Sequence, residues 1–190
     1  MNANSPSHSG NFVSFIRRIA QALALGVAAL TTLPSSAHGP TRQKVVESVT
    51  INAPPAVVWA RVKNFDALKD WHPAVEESPA TQGNEVGSVR TLKLKGGGQM
   101  IETIERYDDA GMKYSYRGKD GGALPVSNYT STIAVTGEGN QSVVEWRGAF
   151  YRGHPGNEPP PELNDDAAVA AITGVYQGGL ANLKKVIEGK

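Results

Sequence analysis

From Lys44 onward the chain reads as a continuous series of amphipathic strands that ends in one long helix. Apolar and polar residues alternate with a period of two in six segments, and glycine-rich turns separate several of them. In the last segment the apolar spacing changes to that of a helix. The periodicity therefore predicts the elements of an α+β domain, although it does not by itself say how they assemble.

The first strand is predicted over residues 44–52. Pro54 and Pro55 end that strand, and Pro55 suits the first turn of a helix because its missing N–H has no partner there. A second short helix is predicted over residues 66–70. Further strands are predicted at residues 87–95, 99–107, 112–116, 129–135 and 143–152.

The last element is predicted to be a long helix that begins after Asn164, a residue type that caps helix N-termini well. Apolar residues recur at helical spacing over residues 172–187. Gly174, Gly178 and Gly179 lie inside this helix, where each glycine costs about 1 kcal/mol relative to alanine. We expect these glycines to allow close packing on the sheet or to leave room for a ligand.

Residues 1–37 have the pattern of a secretory signal peptide. Arg17 and Arg18 end a polar leader, residues 19–33 are apolar and uncharged, and small residues up to Ala37 suit a signal peptidase. We expect cleavage after Ala37, a periplasmic or secreted protein, and no stable insertion in the membrane after cleavage. The alternative is an uncleaved membrane anchor.

Cleavage would leave residues 38–43 as a flexible lead-in and residues 44–190 as one folded domain. The leader holds two of the 19 basic residues and none of the 18 acidic ones, so 17 basic and 18 acidic residues remain, a formal charge of −1. A nearly neutral chain gives no support for nucleic acid as a partner. The absence of cysteine excludes disulfides, thiolate metal sites and cysteine nucleophiles.

Motifs for cofactors and metals are also missing from the sequence. The glycines at residues 96–98 follow a predicted strand but lead into another strand, so no helix N-terminus is available there for phosphate. The chain has no zinc-binding helix motif. We expect neither a cofactor nor a metal site.

Two stretches carry a resemblance to a known superfamily. Residues 53–59 read Ala-Pro-Pro-Ala-Val-Val-Trp and open a helix directly after the first strand, and residues 71–75 read Trp-His-Pro-Ala-Val. With the order of the strands and the long last helix, the chain resembles the START/Bet v1-like (SRPBCC) superfamily, and within it the polyketide cyclase/dehydrase-like branch. The resemblance implies a helix-grip fold, in which a curved antiparallel sheet of about seven strands wraps a long C-terminal helix and two short helices follow strand 1.

Within that superfamily, the exported chain and the Trp-His-Pro-Ala-Val stretch look most like the MxaD-type periplasmic proteins. Those proteins are associated with methanol oxidation, where they aid the dehydrogenase and its cytochrome partner. The resemblance thus implies a periplasmic protein as one partner and a small hydrophobic ligand as another.

A helix-grip fold implies a hollow between the sheet and the long helix, whose walls are the inner strand faces and that helix. The candidates for these walls are mostly apolar, as in small-molecule pockets. They are Arg90, Leu92, Leu94, Met100, Glu102, Ile104, Tyr114, Tyr116, Tyr129, Ser131, Trp146, Tyr176 and Leu180. The alternative is that these side chains fill a packed core and leave no cavity.

Among these candidates, Glu102 is the one whose side chain most directly suggests a role in ligand binding or proton transfer. Met100 and Ile104 flank it on the same predicted inward face, where burial would favour the protonated acid unless a cation pairs with it. Arg90, on the neighbouring strand, is a candidate for that cation. Glu102 is therefore either a polar anchor or general acid/base for a ligand, or half of a structural ion pair.

Two glycine loops, residues 95–99 and 119–125, look like the gate and latch loops of plant hormone receptors in the same superfamily, although the signature residues of those loops are absent. The resemblance places Glu102 and Asn128-Tyr129 at positions that hold a ligand in those receptors. His72 is expected at the surface of a turn, the alternative being a proton donor or acceptor near the cavity mouth.

Two functions remain open at this point. The first is an exported small-molecule binding or accessory protein. The second is an enzyme of the polyketide cyclase/dehydrase kind, in which Glu102, Arg90 or a tyrosine moves protons. If the protein is an enzyme, we expect polar groups of the cavity to converge on a common point. If it is a carrier, we expect an almost wholly apolar lining. If it is an accessory that docks on another protein, we expect a small cavity and an exposed apolar patch near the glycine loops or the Pro-rich segment.

Overall fold

Seven antiparallel strands form one curved sheet in a computed structural model, which describes residues 39–189. The strands are β1 (Gln43–Ile51), β2 (Val75–Glu77), β3 (Val89–Leu94), β4 (Gln99–Asp108), β5 (Lys113–Gly118), β6 (Val126–Glu138) and β7 (Gln141–Arg152). Their order in the sheet is β1-β7-β6-β5-β4-β3-β2, so β1 and β2 are the edges. The predicted signal peptide, residues 1–37, lies outside the described residues.

The two α-helices begin where the sequence predicted, and the first 3₁₀ helix begins one residue earlier than predicted. Helix α1 (Pro55–Val62) starts at Pro55, and a 3₁₀ helix (Phe65–Asp70) follows it. A second 3₁₀ turn (Pro161–Leu163) precedes helix α2 (Asp165–Glu188). The Asn164 side chain caps α2 by accepting a hydrogen bond of 2.8 Å from the backbone N–H of Ala167. These elements confirm the predicted helix-grip fold.

The hydrophobic periodicity missed strand β2. It has only three residues, and Glu76 and Glu77 are both exposed, so it shows no alternation. Its pairing with β3, in which Val75 lies opposite Leu94, defines it instead. A short edge strand of this kind is identified by its pairing with the neighbouring strand and not by its own sequence pattern.

Helix α2 packs across the inner face of the sheet, mainly against β1 and β7. The ring of Tyr176 stacks on the indole of Trp146 with 4.5 Å between centroids and 17° between planes. Alternate residues of the strands point to the same side and are buried there, including Ile104, Ile133 and Phe150. This side of the sheet is the core of the domain. Among residues 39–189, no helix combines the length and the apolar character needed to cross a bilayer.

The interior glycines of α2 differ in their surroundings. A Cβ atom at Gly179 would lie 2.5 Å from the His72 ring and 2.8 Å from Trp146. Nothing lies within 4 Å of a Cβ built at Gly174 or Gly178. Close packing therefore explains Gly179, but nothing in the structure explains the other two glycines.

We expect Gly179→Ala to lower the free energy of unfolding by about 1–3 kcal/mol, because the added methyl group overpacks a filled core. Gly174→Ala on the same helix is the matched control, and we expect it to stabilise by up to about 1 kcal/mol through helix propensity. Urea denaturation of the two variants measures both effects. A stabilising Gly179→Ala would contradict the packing seen here.

Candidate ligand-binding cavity

A cavity of about 70 Å³ lies between the sheet and α2. Ligand pockets for drug-sized molecules span roughly 300–1,000 Å³, so this cavity suits a much smaller molecule in its present shape. It is lined by Leu68, His72, Ala74, Val75, Leu92, Leu94, Met100, Glu102, Tyr116, Leu124, Tyr129, Trp146 and Val175.

The structure divides the predicted candidates into two groups. Seven line the cavity, namely Leu92, Leu94, Met100, Glu102, Tyr116, Tyr129 and Trp146. The other six are buried in the core without lining it, namely Arg90, Ile104, Tyr114, Ser131, Tyr176 and Leu180. Arg90, Ser131 and Tyr176 form a second layer, since each has a polar contact with a side chain of the wall.

Sequence reasoning missed six lining residues, namely Leu68, His72, Ala74, Val75, Leu124 and Val175. Most of them lie in the 3₁₀ helix, the turn before β2 and the second glycine loop, where strand alternation gives no signal. Val175 belongs to the apolar face of α2, one position before Tyr176. The helical spacing of that face could have identified Val175 as a candidate.

Glu102 and Arg90 form a buried ion pair. They are direct cross-strand neighbours on β4 and β3. The Nε and Nη2 atoms of Arg90 each lie 2.7 Å from Oε2 of Glu102. Arg90 has no exposed surface, donates from Nη1 to the carbonyl of Phe65 at 2.8 Å, and lies 4.0 Å above the Phe65 ring. The Arg90 guanidinium group thus contacts the Glu102 carboxylate, the Phe65 carbonyl and the Phe65 ring.

The electrostatics keep Arg90 charged. Burial is the largest single effect and would lower the pKa of Arg90, but the Glu102 carboxylate together with the Tyr114 and Tyr116 side chains raises it above the usual arginine value. Both guanidinium contacts go to Oε2, and among the described residues no hydrogen bond reaches Oε1 of Glu102. Glu102 therefore takes the structural role of an ion-pair partner, while its side chain lines the cavity and its Oε1 atom accepts no hydrogen bond from the described residues.

Five buried polar groups form a hydrogen-bonded network: Tyr116, Tyr129 and Trp146 in the cavity wall, and Tyr176 and Ser131 behind it. The Ser131 hydroxyl lies 3.0 Å from the carbonyl of Arg147, which only accepts, so Ser131 donates there. Ser131 then accepts from the Tyr176 hydroxyl at 2.9 Å. Tyr176 accepts from Tyr129 at 2.9 Å, and Tyr129 accepts from Tyr116 at 3.3 Å. Each hydroxyl group donates its proton to the next group, and the series ends at the backbone carbonyl of Arg147.

These phenols stay protonated at neutral pH. Burial raises the pKa of Tyr116 and of Tyr129 well above the usual phenol value, and it raises the pKa of Tyr176 as well. The Trp146 indole donates to Ser131 at 2.9 Å and lies 3.1 Å from the Tyr116 oxygen. The network therefore holds the wall in one arrangement and supplies no phenolate base.

The prediction that His72 lies at the surface is wrong, because the side chain is only 4% exposed. Its Nε2 lies 3.0 Å from the carbonyl of Val175, so Nε2 carries the proton. Its Nδ1 then accepts from the backbone N–H of Ala74 at 3.2 Å. Both ring nitrogens are occupied, and the ring packs edge-on against Trp146. The packing of α2 over the turn, which a turn's polar composition does not reveal, explains the burial.

We expect His72 to make folding stability depend on pH. Burial, followed by the charges of Arg90 and Lys95, lowers the pKa of His72 below its ordinary value of 6.5. The unfolded chain then binds a proton more readily than the folded one. Stability should therefore be full above about pH 6.5 and fall as the pH drops through the lowered pKa.

Urea denaturation at pH 7.5 and pH 5 measures this effect. We expect His72→Gln to show a smaller loss of stability between the two pH values than the wild type, and the control His154→Gln to behave like the wild type. An equal loss in His72→Gln and in the wild type would show that His72 does not cause the pH dependence.

The two glycine loops lie side by side at one end of the cavity. The backbone N–H of Ala123 donates to the carbonyl of Gln99 at 3.0 Å, and Leu124 lines the cavity. Asn128 does not face the cavity as the resemblance implied. It has a φ of 48° at a bulge in β6, and its side chain accepts a hydrogen bond of 2.8 Å from Arg117 on the outer face.

Within residues 39–189, no group of three or more His, Cys, Asp or Glu side chains is placed to hold a metal ion. The polar groups that face the cavity are a paired carboxylate, two phenols, one indole and one neutral imidazole. This arrangement can recognise a hydrogen-bonding group on an otherwise apolar molecule.

Residues 42–188 match the family described as polyketide cyclase / dehydrase and lipid transport. The chain belongs to this family. It is similar to the protein XoxI from Bacillus cereus, with 32% identity and a TM-score of 0.65, over 76% of this chain and 95% of that one.

Two enzymes with known activities share the fold at lower identity. Norcoclaurine synthase from Thalictrum flavum, solved with dopamine and hydroxybenzaldehyde, is 16% identical with a TM-score of 0.61, over 79% of this chain and 88% of that one. The Zhui aromatase/cyclase from Streptomyces sp. R1128 is 15% identical with a TM-score of 0.62, over 78% and 94% of the two chains. Both similarities show the fold and not the reaction.

Proposed function

We propose that this protein binds a small, mostly apolar molecule with one hydrogen-bond donor in the cavity, and that it does not catalyse a reaction on it. The observation that supports this proposal most strongly is that nearly all polar groups in the cavity wall already have hydrogen-bond partners within the protein. The phenols, the indole and the imidazole all have partners within the protein. Oxygen Oε1 of Glu102 is the acceptor left for a ligand.

An enzyme of the cyclase kind needs a group that exchanges protons at the reacting centre. The tyrosine pKa values are raised, His72 is neutral with both nitrogens engaged, and Glu102 is fixed by Arg90. A cavity of about 70 Å³ is also far below the size of a drug-like substrate. These observations favour binding over the alternative of a polyketide cyclase/dehydratase-like enzyme.

We further propose that the protein is exported and acts as an accessory to a periplasmic dehydrogenase such as that of methanol oxidation. The signal-like pattern of residues 1–37 and the resemblance of residues 71–75 to the MxaD-type proteins support this role. The expected apolar docking patch is not found near the glycine loops or the Pro-rich segment, since the large exposed apolar residues of the described chain are Val46, Val57, Val86, Val143 and Val186. A partner would have to dock through another kind of surface.

A pair of isomeric probes tests the binding proposal. 1-Propanol and ethyl methyl ether have the same atoms, but only the alcohol can donate a hydrogen bond to Glu102. A hydrogen bond to a charged group is worth about 1.5–3 kcal/mol, so we expect the alcohol to bind at least about 10-fold more tightly. Methyl resonances of Leu92, Met100 and Leu124 report the binding in NMR titrations. Equal affinities, or shifts that do not saturate, would contradict the proposed ligand chemistry.

A further inference from the structure

The outer face of the sheet, opposite α2, carries a shallow groove of about 510 Å³ with a concentration of positive charge. We name it the basic trough and define it by five cationic side chains, Arg42, Lys44, Arg106, Arg117 and Arg147. All five residues are exposed. Because the chain beyond the predicted leader is nearly neutral, this charge is a local feature and not a consequence of overall composition.

The strand register builds the trough. One row across four strands reads Arg147, Thr132, Ser115 and Arg106. Neighbouring strands are about 4.8 Å apart, so the two arginines lie about 14 Å from each other with small hydroxyl side chains between them. Ala149 and Thr130 continue this low floor in the adjacent row. Long basic side chains thus flank a floor that a partner's side chains can reach.

A β-bulge between Ile104 and Arg106 puts Arg106 on this face. Strict alternation from Met100 through Ile104 would turn Arg106 inward. The bulge shifts the phase of β4, so that Glu105 and Arg106 are both exposed and Arg106 lies opposite Ser115. The irregularity of β4 therefore adds a cation to the trough and keeps a charge out of the core.

The positive charge of the trough is only partly neutralised within the protein. Arg117 pairs with Glu105 at 2.6 Å, and Arg147 lies 3.0 Å from Glu145. Among the described residues, Lys44 and Arg106 have no carboxylate within ion-pair distance. Arg42 also has no carboxylate within that distance in the described part of the chain, since it contacts Thr130 and the Tyr151 ring. Three cations in one groove are thus free to pair with carboxylates of another molecule.

We propose that the basic trough docks an acidic segment of a partner protein. The interspersed carboxylates and the hydroxyl floor suit a polypeptide that offers both carboxylates and hydrogen-bonding groups. Glu105 and Glu145 would repel the continuous phosphates of a nucleic acid. Val46 is the one large exposed apolar side chain in the trough, so little is available to insert into a lipid surface. This proposal rests on the proposed accessory role and states what kind of surface the partner protein presents. It does not depend on ligand binding in the cavity.

Titration of the ¹⁵N-labelled full chain with poly-L-glutamate at low salt tests the docking surface. We expect saturable amide shifts confined to the trough strands. Arg106→Glu combined with Arg147→Glu should weaken binding by at least about 10-fold, because both ends of the row change sign. Lys69→Glu combined with Lys119→Glu makes the same change in net charge at exposed sites outside the trough, and it should change the affinity less than about twofold.

The proposal is overturned if no saturable shift appears, if the two double variants bind equally well, or if a DNA duplex or phosphatidylglycerol vesicles bind more tightly than poly-L-glutamate at the same salt concentration. The 1-propanol titration is repeated on the Arg106→Glu, Arg147→Glu variant. Unchanged alcohol binding there shows that the fold and the cavity are intact. A failure of the trough is thereby separated from a failure of the ligand proposal.

Discussion

Glu102→Gln is expected to lower the free energy of unfolding by about 3–5 kcal/mol, the usual effect of removing one partner from a buried ion pair. The substitution leaves Arg90 with a full charge and no exposed surface, and the amide cannot replace the lost negative charge. Urea denaturation with a fluorescence readout measures the change.

Glu105→Gln is the matched control for this experiment. Glu105 lies on the same strand and also pairs with an arginine at 2.6 Å, but the side chains of that pair are 37% and 47% exposed. We expect a loss below about 1 kcal/mol there, because solvent screens the pair. Replacing the buried pair together, by Arg90→Met and Glu102→Leu, should recover much of the stability lost in Glu102→Gln. Equal losses in Glu102→Gln and Glu105→Gln would show that the buried pair is not held as described.

Gly148→Ala is expected to destabilise the fold by about 3 kcal/mol or more, through overpacking and the disruption of buried hydrogen bonds. Gly148 faces the core on β7, and a Cβ there would overlap the Tyr176 hydroxyl and lie 3.2 Å from the Tyr129 ring. The Tyr176 hydroxyl occupies the space that the missing side chain leaves, and from there it reaches Ser131 and Tyr129.

A double-mutant cycle with Tyr176→Phe isolates this contact. The phenylalanine removes the oxygen that the new methyl group would strike, so Gly148→Ala should cost clearly less in that background than in the wild type. Additive free energies in the cycle would mean that the hydroxyl does not sit over Gly148.

The sequence was sufficient for the helices and strands other than β2 and the second 3₁₀ turn, and it named Arg90 as a candidate partner of Glu102. Arg90 and Glu102 both occupy inward positions of alternating strands joined by one short turn, so the same pattern that buries them also makes them neighbours. The helix cap at Asn164 and the start at Pro55 follow from local backbone chemistry, which a sequence displays directly.

The sequence could not reveal features that depend on distant packing. His72 is buried because Gly179, more than a hundred residues later, lets α2 approach it closely. Arg106 and Asn128 face outward because bulges change the phase of their strands. The cavity volume depends on how side chains from six strands and two helices fill the same space, and a list of inward residues does not contain that information.

The proposed function requires an accessible space between the sheet and α2. Methyl NMR under xenon pressure tests it most directly, since xenon binds apolar cavities of this kind. We expect saturable shifts of the methyl resonances of Leu92, Met100 and Leu124. The shifts should be lost in Leu124→Trp, which fills the cavity, and kept in Val86→Trp, which adds the same ring at an exposed site. An absence of saturable shifts in the wild type, or the same shifts in Leu124→Trp, would contradict this expectation.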